Sequence, residues 1–149
     1  MSEDGASIAV RPIEPSDVDR VAALAAQLGY PATVERMRDR LRGVAGDAEH
    51  AVFVATDATG EVIGWIHLFV QRTLVSDRET EIGALIVDDR RRGRGVGRAL
   101  VEHGAEWARE RESVGIRVRS NVARDGSHRF YAALGYETAK TQHVHRKRL

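Results

Sequence analysis

"LIVDDRRRGRGVGRAL", residues 85–100, runs from an apolar stretch through a cluster of arginines and glycines into a helical pattern. Ile82, Ala84, Leu85, Ile86 and Val87 form a nearly unbroken apolar run, the composition of a strand buried on both faces. From Val96 onward, Leu100, Gly104, Trp107 and Arg111 follow one stripe while Glu102, Glu106 and Arg109 lie on the other side, which predicts an amphipathic helix. Between the two lie Arg90, Arg91, Arg92 and Arg94 among Gly93, Gly95 and Gly97. A strand, a glycine turn and a helix start are the setting in which backbone N–H groups hold an anion, because no Cβ keeps a phosphate away from the main chain. Charge at a helix end contributes only ~0.3–1 kcal/mol, so several N–H donors and arginine side chains must act together.

Two nucleotide loops are excluded by residue identity. A Walker loop needs Gly-Lys, a pair that occurs nowhere in the chain, and a dinucleotide fingerprint starting at Gly93 would need glycine where Arg98 stands. What remains is R-x-x-G-x-G, met by Arg92, Gly95 and Gly97.

Working outward, "SIAVRPI" (7–13) reads as a first strand, and Ser16 followed by Asp19 as a helix start for Val18, Val21, Ala22, Leu24, Ala25 and Leu28. Thr33 is placed to cap a second helix carrying Val34, Met37, Leu41 and Val44. Residues 50–70 contain two β-rich runs joined at "DATGE", a hairpin signal. Beyond the central helix, "VGIRVRSN" alternates as a strand, "SHRFYAALGY" is a short helix closed by Gly135, and "TAKTQHVHRKRL" (138–149) predicts one or two final strands. At 149 residues this predicts one α/β domain over residues 1–149.

"LIVDDRRRGRGVGRAL", followed downstream by "FYAALGY", resembles the acetyl-CoA-binding motif of the GNAT superfamily of N-acetyltransferases, and the order of elements from about Ser7 to Leu149 is similar to that fold. The resemblance implies a mixed central β-sheet with helices on both faces. It implies that main-chain N–H groups across Arg92, Gly93, Arg94, Gly95, Val96, Gly97 and Arg98 hold the pyrophosphate of acetyl-CoA. It also lays the pantetheine arm along Leu85, Ile86 and Val87 as though it were an extra strand. Two departures stand out. Asp89 occupies a position where the family often has proline, and of the family's N-x-x-A-x-x-F-Y only Phe130 and Tyr131 match. Arg124 and Ser127 replace the Asn and Ala, and Asn121 lies three residues too far upstream.

The implied chemistry is attack by an amine on the thioester. An acceptor like lysine, with a pKa near ~10.4, needs about 4–5 kcal/mol to free its lone pair at neutral pH, so a general base is useful. Glu81, at the entrance of the buried strand where several GNAT members place a glutamate base, is the candidate, and Glu79 is its neighbour acting through water. In a regular strand Glu81 shares a face with Leu85 and Val87. Tyr131 corresponds to the tyrosine that family members use to protonate or hydrogen-bond the departing thiolate, and a main-chain N–H near Val87 would serve the thioester oxygen. With no Cys and no Ser/His/Asp constellation, direct attack is expected rather than an acyl-enzyme.

Other features carry less. His143 and His145 lack a third partner for a metal, so none is expected; His67 and Trp65 border the acceptor site or pack; Arg117 and Arg119 face a partner or solvent. Lys plus Arg (23) nearly cancel Asp plus Glu (22), which argues against a nucleic-acid binder. No apolar run of about 18 residues occurs, which predicts no membrane span, and the polar start predicts no secretion leader. The expected partner is a small-molecule amine, with Asp77, Glu79 and Glu81 hinting at a polyamine-like cation. The absence of Cys suits a reducing cytoplasm, and a homodimer is a family-based expectation. The alternatives are a protein lysine or N-terminus as acceptor, and a CoA-binding sensor without turnover.

Overall fold

The computed structural model describes residues 8–120 and 125–149, which fall into two compact units divided after Val118. In the first, β1 (Ala9–Pro12), β2 (His50–Thr56), β3 (Val62–Gln71), β4 (Glu79–Val87) and β5 (Ile116–Val118) form one sheet in that order. All neighbours are antiparallel except β4 and β5, which are parallel and joined by helix α3 (Val96–Glu110). Parallel neighbours require such a crossover.

Helices cover both faces, as the apolar patterns dictate. On one face, Val21, Leu24 and Ala25 of α1 (Val18–Gln27) pack with Val54, Trp65 and Ile86, and Met37 of α2 (Val34–Val44) joins their edge. On the other face lies the predicted stripe of α3, with Val96, Leu100, Gly104 and Trp107 all buried. Gly104 allows the closest approach: a Cβ there would stand 2.7 Å from Leu68 Cδ2.

Local sequence chemistry sets the start of α2, whereas that of α1 depends on a residue from β1. Thr33 Oγ1 accepts from Arg36 N at 3.1 Å, as its capping role requires. The start of α1 is different: a 3-10 turn over Pro15–Asp17 precedes it, capped reciprocally by Glu14 and Asp17 rather than by Ser16 and Asp19. Asp17 is the better anchor because Arg11 donates two hydrogen bonds to its carboxylate, at 2.8 and 2.9 Å.

The second unit contains α4 (Asp125–Ala133), closed by Gly135 at φ +89° with Tyr136 N donating to Tyr131 O. The strands predicted for 138–149 are not formed; that stretch is irregular and exposed. Ala139, Val144 and Leu149 are its only apolar residues, too few and too widely spaced to make the alternating face a strand would bury.

Candidate active site

The loop between β4 and α3 is built by backbone geometry. Gly93 and Gly95 adopt φ of +77° and +85°, in the left-handed region where a Cβ is costly, and Gly95 is the N-cap of α3. Because Gly95 brings no side chain, no capping hydrogen bond competes for the first N–H groups of α3, and its first turn contains no acidic residue. The result is a 15-residue helix whose N-terminal donors remain available to an anion. Arg94 and Arg92 are exposed beside it, while Arg98 pairs with Glu102 at 2.9 Å.

The start of the loop is fastened from α1. Asp88, only 2 % exposed, accepts from Arg20 Nη2 at 2.7 Å and from Arg90 N at 3.2 Å. Arg20 Nε also donates to Val62 O at 2.9 Å, tying helix, strand and loop together. Gln27 Oε1 accepts from Asp89 N at 3.0 Å. Proline has no N–H to give, so this bond accounts physically for the departure at Asp89. Burial pushes the Asp88 carboxyl up, but the hydrogen bonds from Arg90 N and Gln27 and the nearby Arg20 outweigh it and hold the group below the usual carboxylate range. Arg91 is spent on Asp57 of the β2–β3 turn, at 3.0 Å.

Residues 85–87 lie where an extended ligand would find an edge. β5 pairs only with Thr80, Glu81 and Ile82, so among the described residues β4 has no strand partner beyond Ile82 on the side away from β3. The donors and the free edge together fit a molecule with a pyrophosphate and an amide-bearing arm.

Glu81 is buried at 8 % exposure and faces Arg117 of β5, with Arg117 Nε 3.3 Å from its Oε1. Arg117, expected to meet a partner or solvent, is instead turned toward Glu81. The face of Glu81 also differs from the regular-strand expectation. His67 pairs with Ala84 and Leu68 with Ile82, leaving Gly83 as an extra residue, a β-bulge. Glu81 therefore sits opposite Phe69 on the face of α1, whereas Leu85 and Val87 sit opposite Ile66 and Gly64 on the face of α3. An inserted residue reverses parity, and period-two reasoning carries no signal for it except the glycine itself.

The bulge faces a histidine pair. His67 Nε2 lies 3.0 Å from His50 Nδ1, the two rings stack at 5.3 Å, and Phe69 packs on both. On the other side of His67, a Cβ at Gly83 would come within 3.2 Å of its Nδ1. Burial, and secondarily the charge of His50, push His67 below the usual imidazole range. His50 was missed in the sequence because it meets His67 diagonally across two strands.

Tyr131, in the second unit, packs edge-on against Phe130 and Tyr136, at 5.0 and 5.5 Å. Burial, with a smaller contribution from Tyr136, pushes its hydroxyl up to about 12. Asn121 and Arg124 lie outside the described residues. Among the described residues no cluster of three or more His, Asp or Glu is placed to hold a metal, and no helix is long and apolar enough to cross a membrane.

Comparison with known proteins gives the family. The model of the acetyltransferase (GNAT) family matches residues 19–136. Glucosamine 6-phosphate N-acetyltransferase 1 of Oryza sativa subsp. japonica is 32 % identical over 146 residues, covering 93 % of this chain and 87 % of its own. Aminoglycoside N(6')-acetyltransferase type 1 of Stenotrophomonas maltophilia is 30 % identical over 132 residues, covering 86 % and 85 %. Among solved structures, an aminoglycoside 6'-N-acetyltransferase from Acinetobacter baumannii superposes with a TM-score of 0.84 at 18 % identity, covering 95 % of this chain and 99 % of that one. A strand with an open edge, a glycine-capped helix start and these relatives lead to one conclusion: the chain is an N-acetyltransferase of the GNAT family.

Proposed function

We propose that the protein transfers the acetyl group of acetyl-CoA to the primary amine of a small molecule by direct attack. The observation that carries this reading is the α3 N-terminus, left without a side-chain cap by Gly95 and following the stretch of β4 whose edge has no strand partner among the described residues. In it, the N–H groups across Arg92 to Arg98 hold the pyrophosphate and Leu85 to Val87 align the pantetheine arm. When bound, acetyl-CoA supplies the thioester that the amine attacks.

Glu81 takes the proton of the acceptor ammonium, directly or through water, with Arg117 orienting its carboxylate. Tyr131, assigned by family resemblance, meets the departing thiolate. With its hydroxyl at about 12 and a thiol near ~8.5, full proton transfer to sulfur is uphill by about 4–5 kcal/mol. Tyr131 therefore acts as a hydrogen-bond donor.

A small-molecule acceptor is supported by the relatives, whose names specify an amino sugar phosphate and aminoglycosides. Glu79 and Glu81 on β4, with Asp77 just before it, favour a cationic amine. A cytoplasmic location and a homodimer belong to the same reading. The test is thiol release from acetyl-CoA with spermidine, kanamycin, glucosamine 6-phosphate, free amino acids and a lysine peptide, read beside CoA binding. Turnover on one class names the acceptor; CoA binding without turnover on any amine would favour a sensor.

A further inference from the structure

Acetylation of an ammonium leaves one proton per cycle to be carried from the site to solvent. The nitrogen sheds two protons, the sulfur takes one, and one must reach solvent in each cycle. Glu81 holds the proton bound for solvent and is buried beside Arg117, so that proton must be passed on before the next ammonium can be served.

The face that Glu81 shares contains a group suited to receive it. Glu81 sits opposite Phe69, and Phe69 packs against both His50 and His67. His67 Nδ1 faces Gly83, where the missing side chain and the exposed backbone leave an approach; both rings are half-buried and so within reach of water. Through Nε2, His67 is hydrogen-bonded to His50 at 3.0 Å. Two imidazoles joined in this way share one added proton and resist a second, because the second puts like charges at hydrogen-bond distance.

We propose that the His50–His67 pair is the proton exit of the acetyl-transfer site, taking the ammonium proton from Glu81 at His67 and releasing it to solvent from the pair. The inference rests on the acetyltransferase reading of Glu81. In the step, water at the exposed Gly83 backbone relays the proton: the Glu81 carboxylic O–H breaks, a water O–H forms, and another O–H of that water breaks as an N–H forms at His67 Nδ1. The pair becomes a monocation, and it then loses one proton to water. No other reactant is needed. The charged groups facing the pair are Glu81 with Arg117, and Glu79 opposite Gln71 on β4; beside His50 in sequence, Glu49 is occupied by Arg72 at 2.6 Å. Met37 of α2, which like Val52 and Ala84 packs against the core on this face, is uncharged.

The test uses the full chain and whichever amine of the panel above is turned over fastest. His67→Gln should lower kcat roughly a hundredfold near neutral pH, with CoA affinity unchanged, and added imidazole should restore part of the loss. Glu81→Gln should not respond to imidazole. Ring nitrogen NMR of the free protein should show the two histidines taking up one proton jointly. Equal kcat and pH profile for His67→Gln and the parent, loss without imidazole rescue in a folded variant, or two independently titrating rings would each overturn the exit and leave acetyl transfer standing. Absence of turnover on every amine would instead overturn the acetyltransferase reading, and the exit with it.

Discussion

Arg20 of α1 and Asp88 at the end of β4 meet at 2.7 Å, and the aspartate is almost wholly buried. Their contact fixes the point where the chain leaves the sheet to form the glycine loop, so a helix on one face of the sheet sets the geometry of a helix start on the other. Asp88→Asn should cost about 1.5–3 kcal/mol in urea unfolding, the worth of charge-assisted hydrogen bonds, and should weaken CoA binding by more than the stability loss alone explains. Because the Asp88 pKa is depressed on folding, its contribution is complete above the ordinary carboxylate value of 3.8 and is lost as pH falls through the lowered one.

Gly95→Ala and Gly104→Ala separate binding from packing. At Gly95 a Cβ meets nothing within 4 Å, so the expected cost is about 1–2 kcal/mol for the left-handed backbone, together with a marked loss of CoA affinity. At Gly104 the Cβ would clash with fully buried Leu68. Overpacking of about 1–3 kcal/mol, partly offset by about 1 kcal/mol of helix propensity, should lower the melting temperature and leave CoA affinity intact. Calorimetry of unfolding and of CoA binding checks both.

Glu81→Gln should reduce kcat by roughly 10²–10⁴, the range of general-base catalysis. Tyr131→Phe should cost only about threefold to tenfold, the worth of one hydrogen bond. A larger effect of the tyrosine than of the glutamate in steady-state kinetics would reverse the roles given to them.

His67 gives the fold a pH dependence of its own. Burial lowers its affinity for a proton in the folded state, while the unfolded chain takes one up near 6.5. Stability from this group is therefore complete above about 6.5 and declines as pH falls toward the lowered folded value. The urea midpoint should drop between neutral pH and pH 5, and His67→Gln should flatten that drop.

Much of this was legible in the chain because it rests on local chemistry. The apolar run at 82–87, the glycines after it and the stripe from Val96 each follow from one residue's relation to its near neighbours. What escaped depends on distant partners. Nothing near Asp88 in sequence announces Arg20 or Gln27, and nothing near His50 announces His67. The parity of Glu81 turned on one inserted residue, Gly83, whose effect appears only when β4 is laid against β3. At 138–149 one or two final strands were expected, but too few apolar side chains are present to give them a face to bury.

The stretch of β4 beyond Ile82, which has no strand partner on one side among the described residues, has a consequence for how the protein survives outside its working state. A strand edge rich in Leu85, Ile86 and Val87 is a template for another chain as well as for a pantetheine arm. A ligand seated there would work as a guard against misassembly: heated without CoA, the protein should aggregate by edge pairing, and saturating CoA should delay turbidity even under conditions where no acetyl group moves.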